Sequence, residues 1–189
     1  MKKLILGLKK KIASIRTAFV SLLLEKDISH ITVKELSERA NINRKTFYMY
    51  YANIQDILNK IEDELIDRLM HLLKNCDFFD HNFDVYAFFL NLNDMISNKL
   101  ELYQNVVYTN SHTLIFMKAK EILKNSFLEK YDPSFSISKD MFQLHAEFAA
   151  SGIIAVYIEW FTMGSTITLE ELAKAAGDFT FYGFSAINR

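Results

Sequence analysis

Arg44, Lys45, Thr46, Tyr48 and Tyr50 crowd into one short stretch of the chain, with Asn43 just ahead of them. These are side chains suited to a polyanion. A guanidinium at Arg44 can make bidentate bonds to guanine, and an ammonium at Lys45 reaches either a base or a phosphate. The hydroxyls of Thr46, Tyr48 and Tyr50 suit backbone oxygens, contacts that fix register without reading sequence. Thr32, Val33 and Asn43, at the openings of two short helical patterns, complete the expected set of DNA contacts. The plain alternatives are solvated helix surface for Arg44 and Lys45 and simple packing for Tyr48 and Tyr50.

Catalytic chemistry finds less to work with. The histidines His30, His71, His81, His112 and His145 show no His-x-x-x-His or Glu-x-x-His pairing that would hold a metal. No Gly-rich phosphate loop or nucleophile elbow occurs. The single Cys76 cannot form an internal disulfide and reads as a buried, reduced thiol. The expectation is no enzyme, no metal and no cofactor.

The elements around the basic stretch are short and well marked. Thr32 and Glu35 form a capping box, in which the threonine oxygen accepts from the Glu35 amide and the carboxylate reaches back. The helix that follows turns Val33, Leu36 and Ala40 inward. Asn41 sits where the chain must turn sharply, and asparagine tolerates the left-handed region better than any residue but glycine. Asn43 caps a second short helix over 44–50, with Phe47 and Tyr51 facing the core. A preceding helix over 9–26 carries Ile12, Ile15, Phe19 and Leu22 at steps of three and four. Two short helices joined by a tight turn, with a third packed behind, make a helix-turn-helix whose second helix enters the major groove. Further helical patterns cover 54–76, 84–98, 100–108, 113–130, 139–163 and 168–187, and Pro133 falls in the loop "YDPSFSIS".

Composition agrees with this plan. Only 5 Gly and 1 Pro occur in 189 residues, and chains with so few turn-makers are helical. The fold class is all-α, with about nine helices. The opening "MKKLILGLKKKIAS" has too short an apolar run for a signal peptide, and "GIIAVYIEWFTMG" is short and holds Glu159, so no membrane segment is expected. That places the chain in the cytoplasm. Net charge is −1, but residues 1–51 hold 11 basic against 4 acidic side chains, a balance of +7. Totals of 22 and 23 leave 11 and 19 for the remainder, a balance of −8. A basic head on an acidic body fits a polyanion partner for the head alone.

With its capping box, turn and "Arg-x-Thr-Phe-Tyr" helix in this spacing, "ITVKELSERANINRKTFYMYYANIQDIL" resembles the helix-turn-helix of TetR-family transcriptional regulators. "SGIIAVYIEWFTMGSTITLEELA" is similar to the C-terminal domain of members like the dihydroxyacetone-kinase activators. The resemblance implies a DNA-binding domain over 9–60 and a helical ligand-binding and dimerisation domain over 61–189. It also implies a homodimer on a palindromic double-stranded operator, and for many relatives a cavity for a small effector. Four positions depart from the frequent pattern: Asn41 for glycine, Ile54 for lysine, Tyr50 for histidine and Tyr51 for phenylalanine. Losing the lysine removes one phosphate contact, although free amides at that helix start could still meet a phosphate.

In the second domain Tyr86, Phe89, Tyr103, His112, Phe116 and His145 are the candidate effector contacts, with plain core as the alternative. In 139–163 one face carries Phe142, Ala149, Ile153, Val156 and Trp160, and another Ala150, Ile154, Tyr157 and Phe161. Between Phe148 and Thr162 the polar Ser151, Glu159 and Thr162 fall within one narrow strip. A helix apolar over most of its circumference must be covered on two sides. The last helix adds a small-residue face of Ala173, Ala176, Gly177 and Thr180 that lets a neighbour approach. The expected dimer interface is therefore Ile153, Val156, Tyr157, Trp160, Ala176 and Thr180, in a four-helix bundle. The second reading is a co-activator or adaptor whose C-terminal domain binds another protein.

Overall fold

The computed structural model describes residues 2–74, 76–78, 83–97, 113–162 and 166–182. The chain divides into two compact units, Met1–Glu64 and Leu65–Arg189. In the first, helix α1 (Lys2–Glu25) buries Ile15, Phe19 and Leu22 completely, along the expected stripe. It starts well before residue 9, where the sequence suggested the helix begins. Leucine, isoleucine and lysine are good helix formers, and extending an existing helix costs far less than nucleating one. A 3-10 turn (Ile28–His30) follows, capped by Asp27, whose carboxylate accepts from the Ser29 amide at 2.8 Å.

Helix α2 (Val33–Arg39) begins as expected, with Thr32 Oγ1 accepting from the Glu35 amide at 3.2 Å. The returning half of the box is replaced: the Glu35 carboxylate accepts from Lys26 Nζ at 2.7 Å. A charge-assisted bond to lysine outcompetes one to a neutral amide. Past Ala40 the chain closes in a Schellman arrangement, with Ile42 N donating to Ser37 O at 2.9 Å and Asn41 N to Glu38 O at 3.1 Å. Asn41 takes φ +53°, the left-handed conformation expected of it.

Helix α3 (Arg44–Tyr48) is two residues shorter than its pattern, because Met49 caps it and Tyr50 N already turns back to Phe47 O. Helix α4 (Ile54–Lys74) then passes from the first unit into the second. Ile57, Leu58 and Ile61 complete the first core beside Phe19, Leu36, Phe47 and Tyr51.

The second unit comprises the end of α4 with α5 (Val85–Ser97), α6 (Thr113–Leu128), α7 (Lys139–Thr162) and α8 (Leu169–Tyr182). Helix α6 packs on α7, α5 on α8, and α7 touches α8. Phe78, Phe88 and Phe127 form an edge-to-face cluster, with centroids 5.3 and 4.6 Å from Phe78. The helix expected over 100–108 lies outside the described residues. By length and composition α7 is the one described helix apolar enough to cross a bilayer, where the sequence suggested a stretch too short. In this unit α7 instead runs along α6, and its Glu147 accepts from Lys120 at 2.8 Å and pairs with Lys124 at 2.9 Å.

The last helices pack chiefly within the second unit itself. The buried stripe of α7 is Phe142, Ala146, Ala150, Ile153, Tyr157 and Phe161, which draws on both of the apolar faces read from the sequence. The small face of α8 is already taken by α5: a Cβ on Gly177 would stand 3.5 Å from the Phe89 ring and 3.7 Å from Val85. Buried Asn93 joins three helices, accepting from Tyr157 Oη at 2.6 Å and donating to the Leu169 carbonyl. Burial pushes the Tyr157 phenol well above its ordinary range.

Candidate nucleic-acid interface

Phe47 is completely buried, and it anchors α3 with its opposite side free. That free side carries Arg44, Lys45, Tyr48 and Met49, all exposed. Residues four apart share a helix face, so 44 aligns with 48 and 45 with 49. The face holds two cations and no carboxylate. Asn43 Oδ1 accepts from the Thr46 amide at 2.7 Å, so its side chain is engaged in shaping the helix. Thr32 plays the same part for α2, while Val33, Thr46 and Tyr50 are half-buried at the margin. Of the expected contacts, Arg44, Lys45 and Tyr48 lie on one open face, and the remainder build or flank it. Tyr48 stands edge-on to Phe47 at 5.3 Å, which fixes its ring without burying it.

Two supports come from other helices. Lys60 on α4 donates to the Tyr50 carbonyl at 2.6 Å, pairs with Asp56 at 3.2 Å, and lies 4.9 Å over the Tyr51 ring. Sequence reasoning missed this clamp, since only its i,i+4 relation to Asp56 is visible locally. Arg16 Nε donates to Tyr51 Oη at 3.1 Å, and its Nη1 donates to Glu64 at 2.8 Å. That bond gives a reason for tyrosine at 51 in place of phenylalanine.

At the start of α4 two backbone amides are already engaged. Asn53 Oδ1 accepts from the Asp56 amide at 2.9 Å, and the Asp56 carboxylate accepts from the Ala52 amide at 2.8 Å. The Ala52 bond holds Asp56 below the ordinary aspartate range.

In the second unit the candidate effector contacts scatter. Phe89 is core; Tyr86 faces outward and donates to Glu170 at 3.2 Å; His145 is exposed, with Nδ1 2.7 Å from the Met141 carbonyl. Phe116 is half-buried on α6, and Tyr103 and His112 lie outside the described residues. A cleft of about 460 Å³ opens elsewhere, between the end of α6 and the start of α7, with Leu128, Tyr131, Phe142, Glu129 and Lys139 in its wall.

Of the expected interface residues, Ile153, Tyr157 and Ala176 lie in the unit's own core, at 4%, 3% and 2% exposure. Val156, Trp160 and Thr180 are half-buried, and Trp160 Nε1 donates to the Ile167 carbonyl at 2.8 Å. The open side of α7 carries Met141, Leu144, Phe148, Gly152 and Ala155, with Phe148 80% exposed. An α7 that is apolar nearly all round has no unique inward face by periodicity.

Residues 84–181 match the family described as the transcriptional regulator C-terminal region of TetR type. A 69-residue segment is 32% identical to an uncharacterized HTH-type transcriptional regulator, YxbF, of Bacillus subtilis (strain 168), over 34% of this chain and 18% of that protein. Among solved structures, the dihydroxyacetone kinase operon activator DhaS is similar with TM-score 0.64 and 20% identity, covering 90% of this chain and 93% of that one. A TetR transcriptional regulator from Streptococcus agalactiae gives 0.60 and 20%, over 92% and 95%. NalD of Pseudomonas aeruginosa, the secondary repressor of a multidrug efflux pump, gives 0.66 and 15%, over 93% and 96%. At these identities the structures speak for the fold.

Proposed function

Because the chain belongs to the TetR family of transcriptional regulators, we propose that it binds a palindromic DNA operator as a homodimer through the exposed face of α3. The observation that carries this is the composition of that face: Arg44, Lys45 and Tyr48 project from a helix seated by Phe47 and held by Lys60. The +7 balance of residues 1–51 supplies the long-range attraction, and the −8 balance of residues 52–189 keeps the rest of the chain off the phosphates. A cytoplasmic setting follows from that partner.

The dimer contact is the open side of α7. Leu144 and Phe148 bring apolar area, while Gly152, around which a Cβ would meet nothing within 4 Å, and Ala155 leave room for a partner helix. Two-fold pairing would set the α3 faces one duplex turn apart, about 34–36 Å. An effector fits the cleft beside Tyr131 and Phe142 better than the scattered Tyr86, Phe89, Phe116 and His145.

Selection of duplexes from a random pool by the full chain tests the reading. The expected result is a palindrome with half-sites one helical turn apart, bound with steep salt dependence. No enrichment over random duplex, together with tight capture of one heterologous protein through Phe148, would favour the adaptor reading instead.

A further inference from the structure

Met49 is the most exposed large apolar side chain described in the first unit, at 69%, ahead of Leu24 at 62% and Tyr48 at 58%. It lies on the α3 face with Arg44 and Lys45, four residues after Lys45, so it enters whatever surface those cations meet. A thioether offers at most a weak acceptor and no donor. It gains little at a phosphate, where it would displace water from an anion. A major groove presents hydrogen-bonding base edges and a single kind of apolar group, the C5-methyl of thymine.

Arg44 and Lys45 favour guanine or phosphate, and neither recognises that methyl group. The two flanking cations, with no acid on the face, choose duplex DNA rather than an apolar protein partner for this exposed methionine. We infer that Met49 is a specificity-determining residue that packs on a thymine methyl in each operator half-site. This inference rests on the DNA-binding reading above.

The test uses the full chain and the duplex enriched from the random pool, with each thymine replaced in turn by deoxyuridine. That change removes one methyl group and leaves pairing and charge untouched. At one thymine per half-site, wild-type affinity should fall about fourfold, the equivalent of about 0.8 kcal/mol for one apolar carbon. Met49→Ala should bind the thymine duplex with a similar loss and be indifferent to uracil at that position, while Met49→Leu should keep the preference. Thermal melting checks that both variants fold, as expected for an exposed site. Wild-type binding that is insensitive to uracil everywhere, or an enriched duplex without thymine in its half-sites, overturns the role of Met49 and leaves the regulator reading standing. Uracil sensitivity unchanged in Met49→Ala does the same. A wild-type chain that enriches no duplex overturns both.

Discussion

At Arg44 the chemistry of one side chain separates reading a base from gripping a backbone. Its guanidinium is exposed on the same face as Tyr48, without a carboxylate on that face to hold it back. Arg44→Ala should weaken binding to the selected operator by about 1–3 kcal/mol and relax preference at one base pair per half-site. Competition between operator and random duplex measures it. Equal loss on both would reduce Arg44 to a phosphate contact. Asn41 and Tyr51 show the same scale at work in the scaffold: one carries a positive φ at the turn, and the other offers Arg16 an acceptor that phenylalanine lacks.

Among elements, the decisive contacts are polar ones set in apolar seams. Tyr157→Phe would leave the Asn93 oxygen, which lies inside the α5–α7–α8 junction, without its 2.6 Å donor. An unpaired buried acceptor costs about 1–3 kcal/mol, so the urea midpoint should drop at unchanged slope. An unshifted midpoint would mean that the junction rearranges freely. The α6–α7 seam depends on pH. Hydrogen bonds from Lys120 first, then Lys124, hold Glu147 down at about 2, against 4.5 for an ordinary glutamate. A depressed carboxylate stabilises the folded state above its unfolded value and loses that contribution as pH falls through the folded one. The melting temperature of wild type should therefore exceed that of Glu147→Gln at pH 6, and the gap should close between about pH 4.5 and 2. A gap that persists at pH 2 would assign it to packing.

For the whole molecule, Phe148 bears on assembly. A ring 80% exposed beside Leu144 is stable in water only at a cost, unless something covers it. Phe148→Glu should convert the proposed dimer to a monomer in sedimentation at micromolar concentration. Its melting temperature should otherwise stay near wild type at matched monomer content, because the ring has little to lose within its own chain. Operator affinity should fall with it, since a single α3 grips only a half-site. A variant that still sediments as wild type would move the interface off this face. The same scale holds the division of charge, +7 over residues 1–51 against −8 over the remainder.

The helix-turn-helix was legible residue by residue because its signals act over three or four positions. Thr32, Asn43 and Asn53 each cap the amide three residues on, and Asn41 supplies the one turn conformation that few residues accept. Short-range hydrogen bonds leave a pattern in sequence. The all-α class was legible for a similar reason, from the scarcity of glycine and proline. Contacts between distant segments leave no such pattern. Nothing near Lys60 shows that it would cross to the Tyr50 carbonyl, and nothing near Glu35 shows that Lys26 would take its carboxylate. In α7 the side chains are apolar almost all round, so hydrophobic burial alone is satisfied by several rotations of the helix. Only packing against α6 and α8, with Tyr157 drawn to Asn93, decided that Ile153 faces inward and Phe148 outward.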